Sequence, residues 1–129
     1  AHPELELLHH CPNGGSRNKA EAVKLKQMGV KTGIPDLCLP VPMGMYNGLY
    51  IEMKYDTGRL EDRQKKMLKA LAAAGHYCTV CYGAEEAIRV LQEYINLKKI
   101  DTGNREDAMS EQNLMIRKNG KVKCIIFKE

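Results

Sequence analysis

The sequence predicts a mixed α/β domain, in which helices pack on a sheet of parallel and antiparallel strands. Candidate strands and amphipathic helices follow one another in the order β, α, β, β, α, β, α, which is typical of this class. The chain has 129 residues, enough for one ordinary domain with a single core. It shows no apolar run near the roughly 18 residues of a membrane span and no recognisable secretory signal. We therefore expect a cytoplasmic protein.

The first half of the chain supplies three of the predicted strands. Residues 5–10 form a short strand candidate, a turn rich in glycine and proline follows, and residues 16–29 have helical spacing. Residues 35–41 and 48–55 then look like strands. The segment between them is rich in Pro, Gly and Asn and is short, so we expect these two strands to be antiparallel neighbours.

The second half alternates helix and strand before the composition changes. Helices are predicted over residues 59–75 and 83–99, the second with Ile88 on its inner face, around a buried strand at 76–82. We assign residues 1–99 to the domain and 100–129 to a tail. The tail begins as a polar linker. It then carries Asn119-Gly120, a pair favoured in two-residue hairpins, although that turn would place Lys118 opposite Lys121.

Charge and cysteine content narrow the function classes. A formal charge of +4 permits a polyanionic partner without requiring one. Five cysteines are an odd number in irregular positions, which favours reduced thiols, and we expect Cys78 and Cys81 to pack on opposite faces of a strand and not to bind metal. The chain has six Tyr, one Phe and no Trp, so binding of single strands by base stacking is poorly supported.

Three charged residues stand in segments that otherwise resemble buried strands. Alternation along the strand places Glu52 and Lys54 on one face, and Asp36 begins the neighbouring strand, where cross-strand pairs are roughly 5 Å apart. Two carboxylates so close repel unless a cation lies between them. Mg²⁺ would satisfy them, and Lys54 could orient or deprotonate an attacking water, which suits phosphodiester hydrolysis. Alternatively, Asp36 caps a turn and Glu52 forms a surface pair with Lys54, and spacing alone does not decide between these hypotheses.

A glutamine on the next helix favours the catalytic hypothesis. Gln64 is four residues after Leu60 and precedes Met67 and Leu68, on the face that should be buried. Its amide could be satisfied within the core, or it could reach the water or the phosphate at the end of the sheet.

The ordered set "GIPDL", "YIEMK" and a helix bearing Gln64 resembles the virus-type replication-repair nuclease (VRR-NUC) domains of the PD-(D/E)-x-K superfamily, over about residues 7–95. The resemblance implies a restriction-endonuclease-like fold. It also implies that Asp36, Glu52 and the backbone carbonyl of Met53 bind Mg²⁺, with Mn²⁺ able to substitute, that Lys54 activates or positions the water, and that Gln64 supports the site. The chain looks like the stand-alone phage members of this group, which are homodimers that cleave branched DNA such as four-way junctions. The resemblance therefore implies that the partners are DNA and a second copy of the chain, and that the protein acts inside a bacterial host.

One departure from the family pattern concerns the acid of a leading helix. Such domains usually open with a helix whose glutamate completes the metal site, and only two residues precede Pro3 here. Candidate replacements are Glu4, Glu6, Glu21 and Glu111. We hypothesise that residues 107–117, around Glu111, are a displaced form of that helix.

The expected DNA path starts in the turn "PNGGSR". Asn13 and Arg17 could donate hydrogen bonds to phosphates there, and Lys19 and Lys31 extend the basic surface, although a solvated helix start would show the same residues. Three functions stay open: a metal-dependent, structure-selective endonuclease, a general or restriction-type nuclease of linear duplex, and a non-catalytic DNA-binding or dimerisation module.

Overall fold

The computed structural model of the chain describes residues 2–11, 33–97 and 113–126, and in them six strands form one sheet. The helix predicted at residues 16–29 lies outside these ranges. The strands are β1 (His9–His10), β2 (Leu37–Leu39), β3 (Leu49–Lys54), β4 (Tyr77–Tyr82), β5 (Asn113–Lys118) and β6 (Lys121–Ile126). The helices are a 3₁₀ helix (Pro3–Leu7), α1 (Asp62–Ala73) and α2 (Ala84–Ile95).

Strand direction brings one set of strand ends to the same edge of the sheet. The strands lie in chain order, with β3, β4 and β5 parallel to one another and the remaining neighbours antiparallel. The predicted antiparallel pairing of the second and third strands is therefore confirmed. The last residues of β3, β4 and β5, which are Lys54, Tyr82 and Lys118, lie at one edge together with the start of β2. We call this the carboxyl edge.

The two helices cover opposite faces of the sheet. Helix α1 packs through Leu68 and Ala72 against Cys78 and Val80 of β4. On the other face, α2 packs against a cluster that includes Cys81, as alternation along β4 requires. The expectation that Cys78 and Cys81 pack on opposite faces of the strand is confirmed, and burial raises the pKa of Cys78 to about 12 and that of Cys81 to about 11.

Two local predictions are wrong. Of the strand predicted at residues 5–10, only His9–His10 pairs with the sheet, because the chain before it forms a 3₁₀ helix that opens with Pro3. Amide N–H groups there bond three residues back, as in Leu5 to His2 at 3.1 Å. Ile88 is 54% exposed and lies outside the inner face of α2, which Ala87, Val90 and Tyr94 form.

The hairpin predicted in the tail is present. Lys118 pairs with Lys121, and Asn119 and Gly120 have φ of +52° and +73°, the left-handed conformation that a type I′ turn requires. Residues 113–117 are therefore strand, and the displaced-helix hypothesis is wrong for that part of the segment. Because β5 pairs with β4, the hairpin extends the main sheet. In the described ranges, no helix is both long and apolar enough to cross a membrane.

Candidate active site at the carboxyl edge

Asp36 is fixed by its own backbone and by the strand beside it. The register that pairs Leu37 with Ile51 places Asp36 level with Glu52. Its Oδ2 accepts a hydrogen bond of 2.8 Å from the backbone N–H of Met53, and its backbone carbonyl accepts one of 2.7 Å from the N–H of Cys11. Both bonds restrain Asp36 where β2 begins, next to the last residues of β3.

Glu52 is the buried member of the carboxylate pair. It is only 2% exposed, on the face of β3 that helix α1 covers. Its Oε1 accepts a hydrogen bond of 3.1 Å from Nε2 of Gln64 and lies 3.7 Å from Nζ of Lys54. Its Oε2 is buried, and the described residues give it no hydrogen-bond partner. A carboxylate oxygen left in this state is energetically unfavourable unless it is protonated or meets a cation.

The electrostatics of the site favour protonation of Glu52 in the absence of a cation. Burial, together with the neighbouring charge of Asp36, raises the pKa of Glu52 to about 7, although the ammonium of Lys54 opposes the shift. The charged form of a carboxyl group with such a pKa is strongly stabilised when a positive charge lies beside it.

Gln64 connects the helix to both charged residues of β3. Its Oε1 accepts hydrogen bonds from Nζ of Lys54 at 3.0 Å and from the backbone N–H of Glu61 at 2.9 Å. It is the third residue of α1, where a glutamine side chain can turn back to the residue that caps the helix. The prediction that Gln64 faces inward is therefore confirmed, and its amide holds Glu52 and Lys54 in a fixed relation.

The alternative of a surface ion pair does not describe this geometry. The side chains of Lys54 and Glu52 are 16% and 3% exposed, and an amide joins them. Exposed pairs at a sheet margin are hydrated and weak, whereas these groups are largely removed from water. The structure thus brings Asp36, Glu52, Lys54 and Gln64 together at the carboxyl edge. Met53, which follows Glu52 in β3, donates its backbone N–H to the carboxylate of Asp36.

A cleft of about 460 Å³ opens beside Asp36, and two of its lining residues were missed from sequence. It is lined by His10, Asp36, Leu37, Met53 and Tyr55. Alternation along β3 could have indicated Tyr55, which follows Met53 by two residues. His10 reaches the cleft through its pairing with Leu37, and that register has no local sequence signal.

The other predicted residues divide into those outside the described ranges and two acids inside them. Asn13, Arg17, Lys19 and Lys31 lie outside the described residues, as do Glu21 and Glu111. In residues 2–11, 33–97 and 113–126, no group of three His, Cys, Asp or Glu side chains is placed to hold a metal. Glu4 and Glu6 therefore do not complete a three-acid site with Asp36 and Glu52.

Comparison with known proteins finds a family model and a solved structure that match this chain. A family model described as the VRR-NUC domain matches residues 2–85. A solved structure titled "VRR_NUC domain protein" superposes with a TM-score of 0.65 at 38% sequence identity, over 77% of this chain and 75% of that one. The search of curated proteins gives no significant match. The mixed sheet with helices on both faces is accordingly a restriction-endonuclease-like fold.

Proposed function

The chain belongs to the VRR-NUC family of nucleases, and we propose that it is a metal-dependent DNA endonuclease that acts on branched DNA, such as four-way junctions, as a homodimer. The observation that carries the proposal is the buried carboxyl group of Glu52, with one unpartnered oxygen, level with Asp36 and joined to Lys54 through Gln64. If these residues only supported the fold, one buried oxygen of Glu52 would remain without a hydrogen-bond partner among the described residues.

The donor set fits a divalent cation of the Mg²⁺ type. Two carboxylates of adjacent strands supply oxygen ligands, and burial together with the charge of Asp36 raises the pKa of Glu52 although the ammonium of Lys54 is 3.7 Å away. We propose that Asp36, Glu52 and the backbone carbonyl of Met53 hold Mg²⁺, with Mn²⁺ able to replace it. When bound, the cation would supply Lewis-acid stabilisation of charge on the phosphate oxygens.

Lys54 and Gln64 have separate roles in the proposed hydrolysis. The ammonium of Lys54 is positioned to orient the attacking water or to stabilise negative charge that develops on the phosphate. Gln64 acts through Lys54 and Glu52, because its amide is already occupied by both side chains and by the backbone of Glu61. Water attacks phosphorus, the phosphorus–oxygen bond to one nucleotide breaks, and a proton passes to the leaving oxygen.

The finer proposals concern substrate, assembly and location. Asn13, Arg17, Lys19 and Lys31 are proposed to contact phosphates, and two copies related by a two-fold axis would match a two-fold junction. Five free cysteines fit a reducing intracellular compartment, as expected for a stand-alone phage-type nuclease that acts in a bacterial host.

The deciding experiment incubates the protein with a labelled four-way junction and its matching linear duplex, in Mg²⁺, Mn²⁺ or EDTA. Lys54→Met is compared with Lys66→Met, which removes the same charge from an exposed position of α1. We expect metal-dependent cleavage of the junction, reduced at least about 100-fold by Lys54→Met alone, since removing a group that stabilises developing charge has an effect of this size.

Each other outcome identifies a different function. Equal cleavage of junction and duplex would support a general nuclease. Binding of both DNAs without cleavage in Mn²⁺ would contradict the proposed enzyme and leave a DNA-binding module. Light scattering of the free protein and of its junction complex tests the homodimer.

A further inference from the structure

The loop between β3 and α1 connects the two residues that must stay in contact at the site. It runs from Lys54, the last residue of β3, to Gln64 in the first turn of α1. A hydrogen bond of 2.8 Å from the N–H of Gly58 to the carbonyl of Tyr55 closes a turn within it. Leu60, near the end of the loop, packs partly buried against the core cluster that contains Leu68, whereas Tyr55 is 67% exposed, so the first part of the loop depends more on hydrogen bonds.

Groups at and just after the ends of two other strands restrain this loop. The N–H of Gly83 donates to the carbonyl of Lys54 at 3.1 Å, and the hydroxyl of Tyr82 donates to the carbonyl of Gly58 at 2.5 Å. The ammonium of Lys118 donates to the carbonyl of Asp56 at 2.8 Å. Asp56 has φ of +48°, the left-handed conformation, and the bond from Lys118 holds its carbonyl there.

Lys118 and Tyr82 also contact each other. They are partners in the parallel pairing of β4 and β5, and the Lys118 ammonium lies 4.6 Å from the centroid of the Tyr82 ring. Within the hairpin, the same lysine faces Lys121, which is unfavourable for two like charges. The carbonyl of Asp56 and the ring of Tyr82 therefore supply the attractive interactions of Lys118.

We propose that Lys118 and Tyr82 are positioning residues for the active site, which hold the β3–α1 loop so that Lys54 and Gln64 keep their contact. The inference rests on the proposed nuclease function. It assigns a role to β5, which lies beyond residues 2–85 that the family model matches. The hairpin thus acts on the reaction through the loop and need not touch the scissile phosphate.

A general electrostatic effect on DNA binding must be separated from positioning. Lys118→Met removes the ammonium and keeps most of the stem, and Lys121→Met removes an equal charge from the facing position of the same hairpin. Tyr82→Phe removes only the hydroxyl. Lys118→Arg restores a cation that can bond a carbonyl and lie over the ring.

The first readout does not depend on cleavage. Hydrogen exchange of the amides in residues 55–61, with Gly58 as the reporter, should accelerate on the order of fivefold in Lys118→Met and Tyr82→Phe, because each loses one bond that restrains an exposed loop. Lys121→Met should exchange as the wild type does. Unchanged exchange in both positioning variants would overturn the proposal.

The second readout is the split between kcat and KM on junction DNA. We expect kcat to fall on the order of tenfold in Lys118→Met, since small displacements of a reacting group have effects of this size or larger, and to recover in Lys118→Arg. The two Lys→Met variants should raise KM equally. Equal kcat in both would overturn the positioning role. If exchange responds but the wild type cleaves no DNA, the proposed function fails while the restraint of the loop stands.

Discussion

Glu52 is the residue at which burial and charge conflict most directly. Its carboxyl group is 2% exposed, next to Asp36, and has an oxygen without a partner among the described residues. These surroundings favour the protonated form unless a cation is bound. The residue should therefore couple stability to pH and, through the proposed cation site, to metal.

The stability of the metal-free protein should fall as pH rises through the neutral range. The folded-state pKa of Glu52 is about 7 against a reference value of 4.5, so the folded state binds more protons between these values and is favoured at the acidic end. If the whole pKa difference contributes, the free energy of unfolding falls by about 3 kcal/mol over this pH range. This value is an upper limit, because relaxation of the protein and entry of water reduce the effect of burial. Urea unfolding in EDTA at pH 5, 6, 7 and 8 measures the slope.

Glu52→Gln is the control for this pH dependence, because it removes the titrating group and keeps the shape. Its free energy of unfolding should vary less over the same range. Added Mg²⁺ should stabilise the wild type at pH 8 more than it stabilises Glu52→Gln. Identical pH slopes for the two proteins would show that Glu52 is not the coupled group.

Gln64 should contribute to both activity and stability. Gln64→Met removes the amide that bonds Glu52, Lys54 and the N–H of Glu61, and leaves the first two partly buried without it. We expect a loss of about 1–3 kcal/mol in the free energy of unfolding, the usual range for a buried group left unpaired. The junction-cleavage rate should fall with little change in KM.

Gln92→Met is the matched control, since it removes an exposed amide from helix α2. It should leave both the unfolding curve and the cleavage rate close to those of the wild type. A Gln64→Met variant with wild-type kcat would show that Lys54 does not depend on this amide.

At the scale of elements, the approach to β2 packs closely on the start of α1. Gly33 has φ of +82°, and a Cβ there would lie 3.1 Å from the carbonyl oxygen of Arg63. Gly33→Ala should therefore strain the backbone by about 1–2 kcal/mol and displace Asp36 relative to Gln64. We expect lower stability together with slower cleavage of junction DNA, measured by urea unfolding and single-turnover kinetics.

Gly44→Ala separates backbone strain from the effect on the site. Gly44 has φ of +56° and lies in the loop between β2 and β3, at the edge of the sheet away from the carboxyl edge. The Gly44→Ala variant should be less stable than the wild type but should keep a cleavage rate closer to that of the wild type than Gly33→Ala does. If the two alanine variants lose activity in proportion to stability alone, the contact with Arg63 has no specific role.

The elements that the sequence predicted well are those with strong local patterns. The hairpin at Asn119-Gly120, the strands around Glu52 and Cys78, and helix α1 all have clear periodicity or turn residues. Residues 5–10 were misassigned because apolar content alone does not distinguish a strand from a 3₁₀ helix that begins with a proline.

Only the part of the candidate site that depends on strand alternation and helical spacing could be predicted from the sequence. These patterns placed Glu52, Lys54 and Gln64 together. The contacts of Lys118 with Asp56 and of Asp36 with Met53 depend on residues 62 and 17 positions apart, and no local pattern specifies such pairings.

At the scale of the whole molecule, mixed strand direction is what assembles the site. Parallel β3, β4 and β5 bring Lys54, Tyr82 and Lys118 to one edge, and antiparallel β2 adds Asp36 from the opposite chain direction. In an entirely antiparallel order the end of β4, and with it Tyr82, would lie at the opposite edge. The tail hairpin shares the core that supports the site, because Leu114 of β5 is 1% exposed against Leu68 and Val80.

The hairpin should therefore unfold together with the rest of the sheet. Leu114→Ala removes a fully buried side chain and should lower the free energy of unfolding by about 2–5 kcal/mol, as other core truncations of this kind do. Val122→Ala, on the facing strand at 54% exposure, should change it by less than about 1 kcal/mol. Urea unfolding followed by far-UV circular dichroism, with hydrogen exchange of β4 and β5 amides, measures both. If β5 amides exchange far faster than those of β4, and Leu114→Ala leaves the main transition unchanged, the hairpin is an independent unit and cannot restrain the active-site loop.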